Sequence, residues 1–157
     1  ITVKVAKVSN PSTAIAEKVF NVTVQAKVAE VVGAESVVTP YASFADAYAV
    51  AADGDTIKLY QDVSLSTSLQ ISKDVTFDGQ EQFKIKAADD FVLGNELNAI
   101  ICINKTDNPQ VKFANITIDG NAKNRIMKAE SGKVVFKNAV VTNGKNGQIA
   151  GLYFTND

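Results

Sequence analysis

Histidine and tryptophan are absent from these 157 residues, and cysteine, methionine and arginine occur once each. Without histidine the commonest general base and the commonest metal ligand are missing. Serine–histidine and cysteine–histidine nucleophile pairs, and histidine-bound zinc, are excluded within this chain. The single cysteine, Cys102, allows no intrachain disulfide. It sits in the apolar run Ala99-Ile100-Ile101-Cys102-Ile103, where a buried thiol acting as a small hydrophobe is expected. The lone arginine, Arg125, leaves little material for bidentate recognition of phosphate or carboxylate. With 16 basic and 17 acidic residues the net charge is −1, so no nucleic-acid face is expected. No apolar run approaches the ~18 residues of a membrane span, and no signal peptide is visible. The chain begins at Ile1 rather than Met, which suggests a processed product or a piece of a longer protein.

What is present is β-forming. The apolar share is 46%, enough for a core in one domain plus an appendage. Residues 1–28 hold two alternating runs, Ile1-Thr2-Val3-Lys4-Val5 and Val19-Phe20-Asn21-Val22-Thr23-Val24, around the turn-forming Ser9-Asn10-Pro11-Ser12-Thr13. That pattern predicts a hairpin-like pair. Residues 29–42 read as a connector, with an extended segment over Val37–Tyr41.

Residues 43–59 organise the rest. Ser43 with Asp46 has capping-box spacing. Phe44, Ala47, Tyr48 and Ala51 form one apolar helical stripe, and Gly54 is the expected stop. Asp55-Thr56-Ile57-Lys58-Leu59 then alternates as a strand. Beyond it the pattern predicts only short strands: Thr56–Tyr60, Val63–Leu65, Leu69–Ile71, Val75–Phe77, Phe83–Ile85, Ile100–Ile103, Val111–Phe113, Ile116–Ile118, Arg125–Lys128, Val134–Phe136, Val140–Thr142 and Gly151–Thr155. Leu69-Gln70-Ile71 … Val75-Thr76-Phe77-Asp78-Gly79 is echoed by Val111-Lys112-Phe113 … Ile116-Thr117-Ile118-Asp119-Gly120, and again by Val134–Gly144. Phe113 to Phe136 and Asn115 to Asn138 are each 23 residues, a solenoid period. Val75 to Ile116 is near two such turns, with Ile100–Ile103 in the intermediate one. Inward residues Ile71, Val75, Phe77, Phe113, Ile116, Ile118 and Phe136 should stack into columns. Gly79, Gly120 and Asn143 mark bends suited to positive φ. The helix should cover the first edge, and the last strand should leave an open one.

Ser43–Ala47 with Asp53-Gly54-Asp55-Thr56-Ile57, followed by Val-Thr-Phe-Asp-Gly and Ile-Thr-Ile-Asp-Gly, resembles right-handed parallel β-helix proteins of the pectate-lyase-like class. The two N-terminal runs are similar to the last strands of bacterial immunoglobulin-like surface domains. The resemblance implies an all-β right-handed parallel β-helix (solenoid) with a short N-terminal capping helix and a hairpin-like N-terminal segment. It implies an immunoglobulin-like strand pair and linker over 1–36 and a β-helix domain over 37–157, truncated at its C-terminal end. A pair of β-sandwich domains is the competing architecture.

The class includes lyases, hydrolases, epimerases, tailspikes and adhesins, so fold does not decide function. Its uronate lyases use an Arg or Lys base, yet Arg125 lies in the polar turn Asn121–Arg125 and reads as surface. Asp78 and Asp119 hold equivalent repeat positions, which would put them on one face roughly 10 Å apart. That is near the upper end for an inverting carboxylate pair, but Asp-Gly is also ordinary turn chemistry. Asp78, Asp119 and Arg125 are the candidate binding residues. Asp89-Asp90 and Asp107-Asn108 lack calcium-loop spacing and read as solvated turns. Lys58, Lys73, Lys84, Lys86, Lys112, Lys133 and Lys137 read as outward sheet-face residues. Asn21, Asn104 and Asn115 open glycosylation sequons, Asn115 being better explained by the repeat. No metal or cofactor is expected. The expected role is a non-enzymatic, extracellular or cell-surface bacterial module, structural or adhesive, with a polysaccharide or host glycan as partner. The alternative is the N-terminal part of a polysaccharide lyase or glycoside hydrolase whose catalytic turns lie outside this chain.

Overall fold

The computed structural model describes residues 26–33, 36–94, 98–103, 106–146 and 149–155. The strand pair expected within 1–28, and the Asn21 and Asn104 positions, therefore lie wholly or mostly outside the described residues.

The connector is a hairpin. Strands β1 (Ala29–Val32) and β2 (Val38–Tyr41) pair antiparallel. Strand β1 also pairs antiparallel with β3 (Asp55–Leu59), Val31 against Ile57. The first edge is thus closed by a strand on the N-terminal side of the expected 36/37 boundary, not by the helix. Helix α1 (Phe44–Val50) starts as its cap predicts: the Ser43 hydroxyl accepts from the Asp46 N–H at 3.0 Å. It ends earlier than expected, at Ala51, and Gly54 (φ 88°) serves the following turn. Lys73, expected on a sheet face, instead donates to the Tyr48, Ala49 and Ala51 carbonyls at 3.0, 3.3 and 2.7 Å. A cation there satisfies the carbonyls left unpaired at a helix C-terminus.

From β3 onward every strand pairing is parallel and forms three ladders. The first runs β3, β6 (Val75–Asp78), the opening of β9 (Gln110–Asp119) and the opening of β11 (Lys133–Thr142). The second runs β4 (Val63–Thr67), β7 (Lys84–Val92) and the closing parts of β9 and β11. The third runs β5 (Leu69–Ile71), β8 (Ile101–Ile103), β10 (Met127–Ala129) and β12 (Leu152–Phe154). These twelve strands and one helix make the described residues an all-β fold.

Alternation explains the core. Ile57, Phe77, Phe113 and Phe136 share one register position in the first ladder. Phe77, Phe113 and Phe136 stack with successive centroid separations of 5.4 and 5.6 Å, and Phe44 packs tilted against Phe77 at 5.9 Å. Such pairs add about 0.5–1.5 kcal/mol each beyond the apolar area they bury. Ile85 and Ile118 continue the core in the second ladder, and Ile101 and Met127 in the third. The 23-residue interval is the true spacing of β9 and β11. The expected pairing of Val75 with Ile116 through an intermediate strand is not. Val75 pairs directly with Val111, and the residues between them build β7 and β8 of the other two ladders. Asp89-Asp90 lies within β7 rather than in a turn. Among the described residues β11 and β12 have strand partners on one side only, and they expose Val140 (57%) and Phe154 (50%).

Candidate functional site

Asp78 and Asp119 close two turns of the same construction. The Asp78 Oδ1 accepts from the Gln80 N–H at 2.9 Å, and the Asp119 Oδ1 from the Asn121 N–H at 2.9 Å. Each aspartate also takes a side-chain amide from a neighbouring turn of the chain, Asn115 Nδ2 of β9 at 3.2 Å and Asn143 Nδ2 just past β11 at 2.9 Å. Positive φ falls on Gln80 and Glu81 in one turn and on Asn121 and Ala122 in the other. Gly79 and Gly120 are therefore not needed for handedness, as the sequence suggested. They are needed for space: a Cβ on Gly79 would stand 2.5 Å from the Phe83 carbonyl oxygen, and one on Gly120 would stand 2.5 Å from that of Asn143.

The two aspartates do not share a face. Asp78 pairs with Ala114 in the first ladder, whereas Asp119 pairs with Lys86 and Thr142 in the second. Partial burial raises the Asp119 pKa, but the Asn121 and Asn143 hydrogen bonds and the charges of Lys84 and Lys86 outweigh it, so the carboxyl titrates below its usual range. It is a stabilised carboxylate, suited to accepting hydrogen bonds rather than to giving up a proton near neutral pH.

Arg125 is not a surface residue; it is 8% exposed. Its Nε donates to the Ile149 carbonyl at 3.0 Å and its Nη1 to Asn98 Oδ1 at 3.3 Å. The guanidinium lies 4.7 Å from the Tyr153 ring centroid. Tyr153 comes from β12, next to β10 in the third ladder. A shallow cleft of about 320 Å³ opens here, with Tyr153, Lys128 and Glu130 on its wall. Lys128 and Glu130 form an ion pair. The guanidinium is committed to a carbonyl, an amide and a ring, which is a packing arrangement rather than that of a free base.

A second cleft, about 350 Å³, lies beside the Asp78 turn and is lined by Glu81, Phe83, Asn115, Thr117 and Asn138 among others. Asn115 (φ 50°) and Asn138 (φ 51°) turn the corner between the first two ladders. Their side chains stack, Asn138 Nδ2 donating to Asn115 Oδ1 at 3.2 Å and to Glu81 Oε1 at 2.9 Å. Glu81 escaped the sequence reading because its partner is 57 residues away. The available signal was the 23-residue recurrence of asparagine.

Cys102 is buried as expected; burial raises its pKa, only partly offset by hydrogen bonds to the Ala99 and Asn98 backbone. It is a poor nucleophile there. Among the described residues no group of three or more His, Cys, Asp or Glu is placed to hold a metal ion. No helix there is long and apolar enough to cross a membrane. No family model, curated protein or solved structure matches the chain.

Proposed function

We propose that the chain is a right-handed parallel β-helix module of a bacterial cell-surface or secreted protein, preceded, before β1, by the end of an immunoglobulin-like domain. Its role is non-enzymatic: a stalk or adhesin element that contacts glycans. The observation that carries this reading is the set of three parallel ladders sharing one core, with aromatic over aromatic and amide over amide at fixed register. Parallel strands need crossover connections, and these are right-handed in about 98% of cases. Long, parallel-stacked faces suit repeated contact with an extended polymer.

The non-enzymatic part is supported by the work each candidate residue already does. Asp78 and Asp119 hold separate corners, and Arg125 is engaged on three sides. The test is incubation with a panel of acidic and neutral polysaccharides, recording bound protein and newly formed sugar ends in the same samples. Binding without new ends is expected. New ends that disappear in Asp119→Asn or Arg125→Lys would establish a lyase or hydrolase instead.

A further inference from the structure

The geometry points to the cleft beside the Asp78 turn as a binding site for neutral sugars. This rests on the glycan-contacting reading above and names where the contact is made. The cleft's volume, about 350 Å³, falls at the small end of ligand pockets, which start at about 300 Å³. Its wall combines the exposed Val140 with polar groups that have hydrogen-bonding capacity left. Phe83 packs against the core and lines the cleft. Gln82 and Thr117 line it too, and the Gln82 side-chain amide and the Thr117 hydroxyl hydrogen-bond to no other described residue. Glu81 uses one carboxylate oxygen on Asn138, and the other is free to accept. A sugar offers the complement: ring hydroxyls that both donate and accept, and apolar C–H groups for Val140.

The site is already shaped. The Gly79 N–H donates to the Ala114 carbonyl at 3.1 Å, the Glu81 N–H to that of Asn115 at 2.8 Å, and the Phe83 N–H to that of Gly79 at 2.8 Å. Gln80 reaches back to the Leu59 carbonyl. A loop held at both ends loses little freedom on binding, which favours affinity. Charge selects the class. Among the described residues Glu81 is the only ionisable one lining the cleft, and no lysine or arginine does. A uronate or sulfated sugar would meet that carboxylate while the neighbouring Lys84, in register with Thr117, is already paired with Asp62 at 3.8 Å, whereas a neutral hexose would be bridged by it.

The experiment measures binding of cellohexaose, mannohexaose and tri-galacturonate to the whole chain by calorimetry. Binding of a neutral probe and none of the acidic one is expected. Glu81→Gln should weaken it about 10-fold or more, and Thr117→Val about 10-fold, the loss of one hydrogen bond each. Both substitutions keep side-chain size, so an unchanged thermal unfolding curve shows the loss is not misfolding. Neutral-probe binding that survives both, but is lost in Tyr153→Ala, would overturn this site while leaving glycan contact intact at the Arg125 cleft. Preference for tri-galacturonate would overturn the ligand class. Absence of binding to every probe would overturn the site, and a null result on the polysaccharide panel would overturn the glycan reading with it.

Discussion

The Asp78 and Asp119 turns share a backbone and differ in what they present. In both, the aspartate accepts from its own turn and from an asparagine of a neighbouring turn of the chain. In both, the residue after glycine reaches back to the preceding strand, Gln80 to the Leu59 carbonyl and Asn121 to that of Ala87. In both, an asparagine with positive φ, Asn115 or Asn143, stands over the glycine. Each turn thus ties three successive strands together. Yet Glu81, Gln82 and Phe83 follow in one, and Ala122, Lys123 and Asn124 in the other. The first set lines a cleft with a carboxylate and an unpaired side-chain amide. The motif makes the corner, and the three residues after it decide whether the corner is also a surface for recognition.

If the turns are equivalent, they should fail alike. Gly79→Ala and Gly120→Ala place a Cβ against backbone oxygens that cannot move aside cheaply. Each is expected to lower stability by about 1–3 kcal/mol, the cost of overpacking. Urea unfolding midpoints measure it, and a loss in one variant alone would end the equivalence. Asn115→Ala and Asn143→Ala come next, at about 1–2 kcal/mol each, combining a positive-φ alanine with lost hydrogen bonds. Asn115→Ala should cost more, because Asn115 bonds to both Asp78 and Asn138. Asn→Gly at either position should recover the backbone share. Third, Glu81→Ala should cost about 0.5–1 kcal/mol through its bond to Asn138, while Ala122→Glu should stay within about 0.5 kcal/mol of the parent. Equal effects from those two changes would mean that the Glu81–Asn138 bridge adds nothing to the corner.

The equivalence of the turns was visible in the Val-Thr-Phe-Asp-Gly and Ile-Thr-Ile-Asp-Gly echo, but its meaning was not. An echo of local chemistry reports a recurring bend; it does not report which strands pair. Register was legible only where the spacing itself repeated, as from Phe113 to Phe136. It was lost between Val75 and Val111, because the chain between them makes an excursion through β7 and β8 whose length no period foretells. Strand positions were mostly legible, since Leu69–Ile71 and its fellows are short apolar alternations bounded by turn residues. Burial of Arg125 was not, because Asn121–Arg125 is polar in sequence and its covers, Ile149 and Tyr153, arrive from the later segment that ends in β12. Asn138 showed in the 23-residue recurrence, but its partner Glu81 was hidden for the same reason: a site built across ladders has no footprint in a short window of sequence.

The smallest expected effect separates the turns by charge. Asp119 stands near Lys84 and Lys86, and with its hydrogen bonds they hold its pKa below the usual value despite partial burial. A carboxyl with a depressed folded-state pKa stabilises the fold above its unfolded pKa, about 3.9. That contribution is lost as pH falls through the folded value. The parent chain should therefore exceed Asp119→Asn in stability above about pH 5, and the gap should close as the solution is acidified below the unfolded pKa. Asn keeps an oxygen that accepts the Asn121 N–H, so the gap measures charge rather than loss of the turn. Solvent screening keeps it small, about 0.5 kcal/mol or less. The lysine part should shrink further in molar salt, where the screening length is about 3 Å, and the hydrogen-bonded part should remain. A gap that salt abolishes entirely would assign the low pKa to the lysines alone, and the turn's own hydrogen bonds would then contribute to shape without contributing to charge stabilisation.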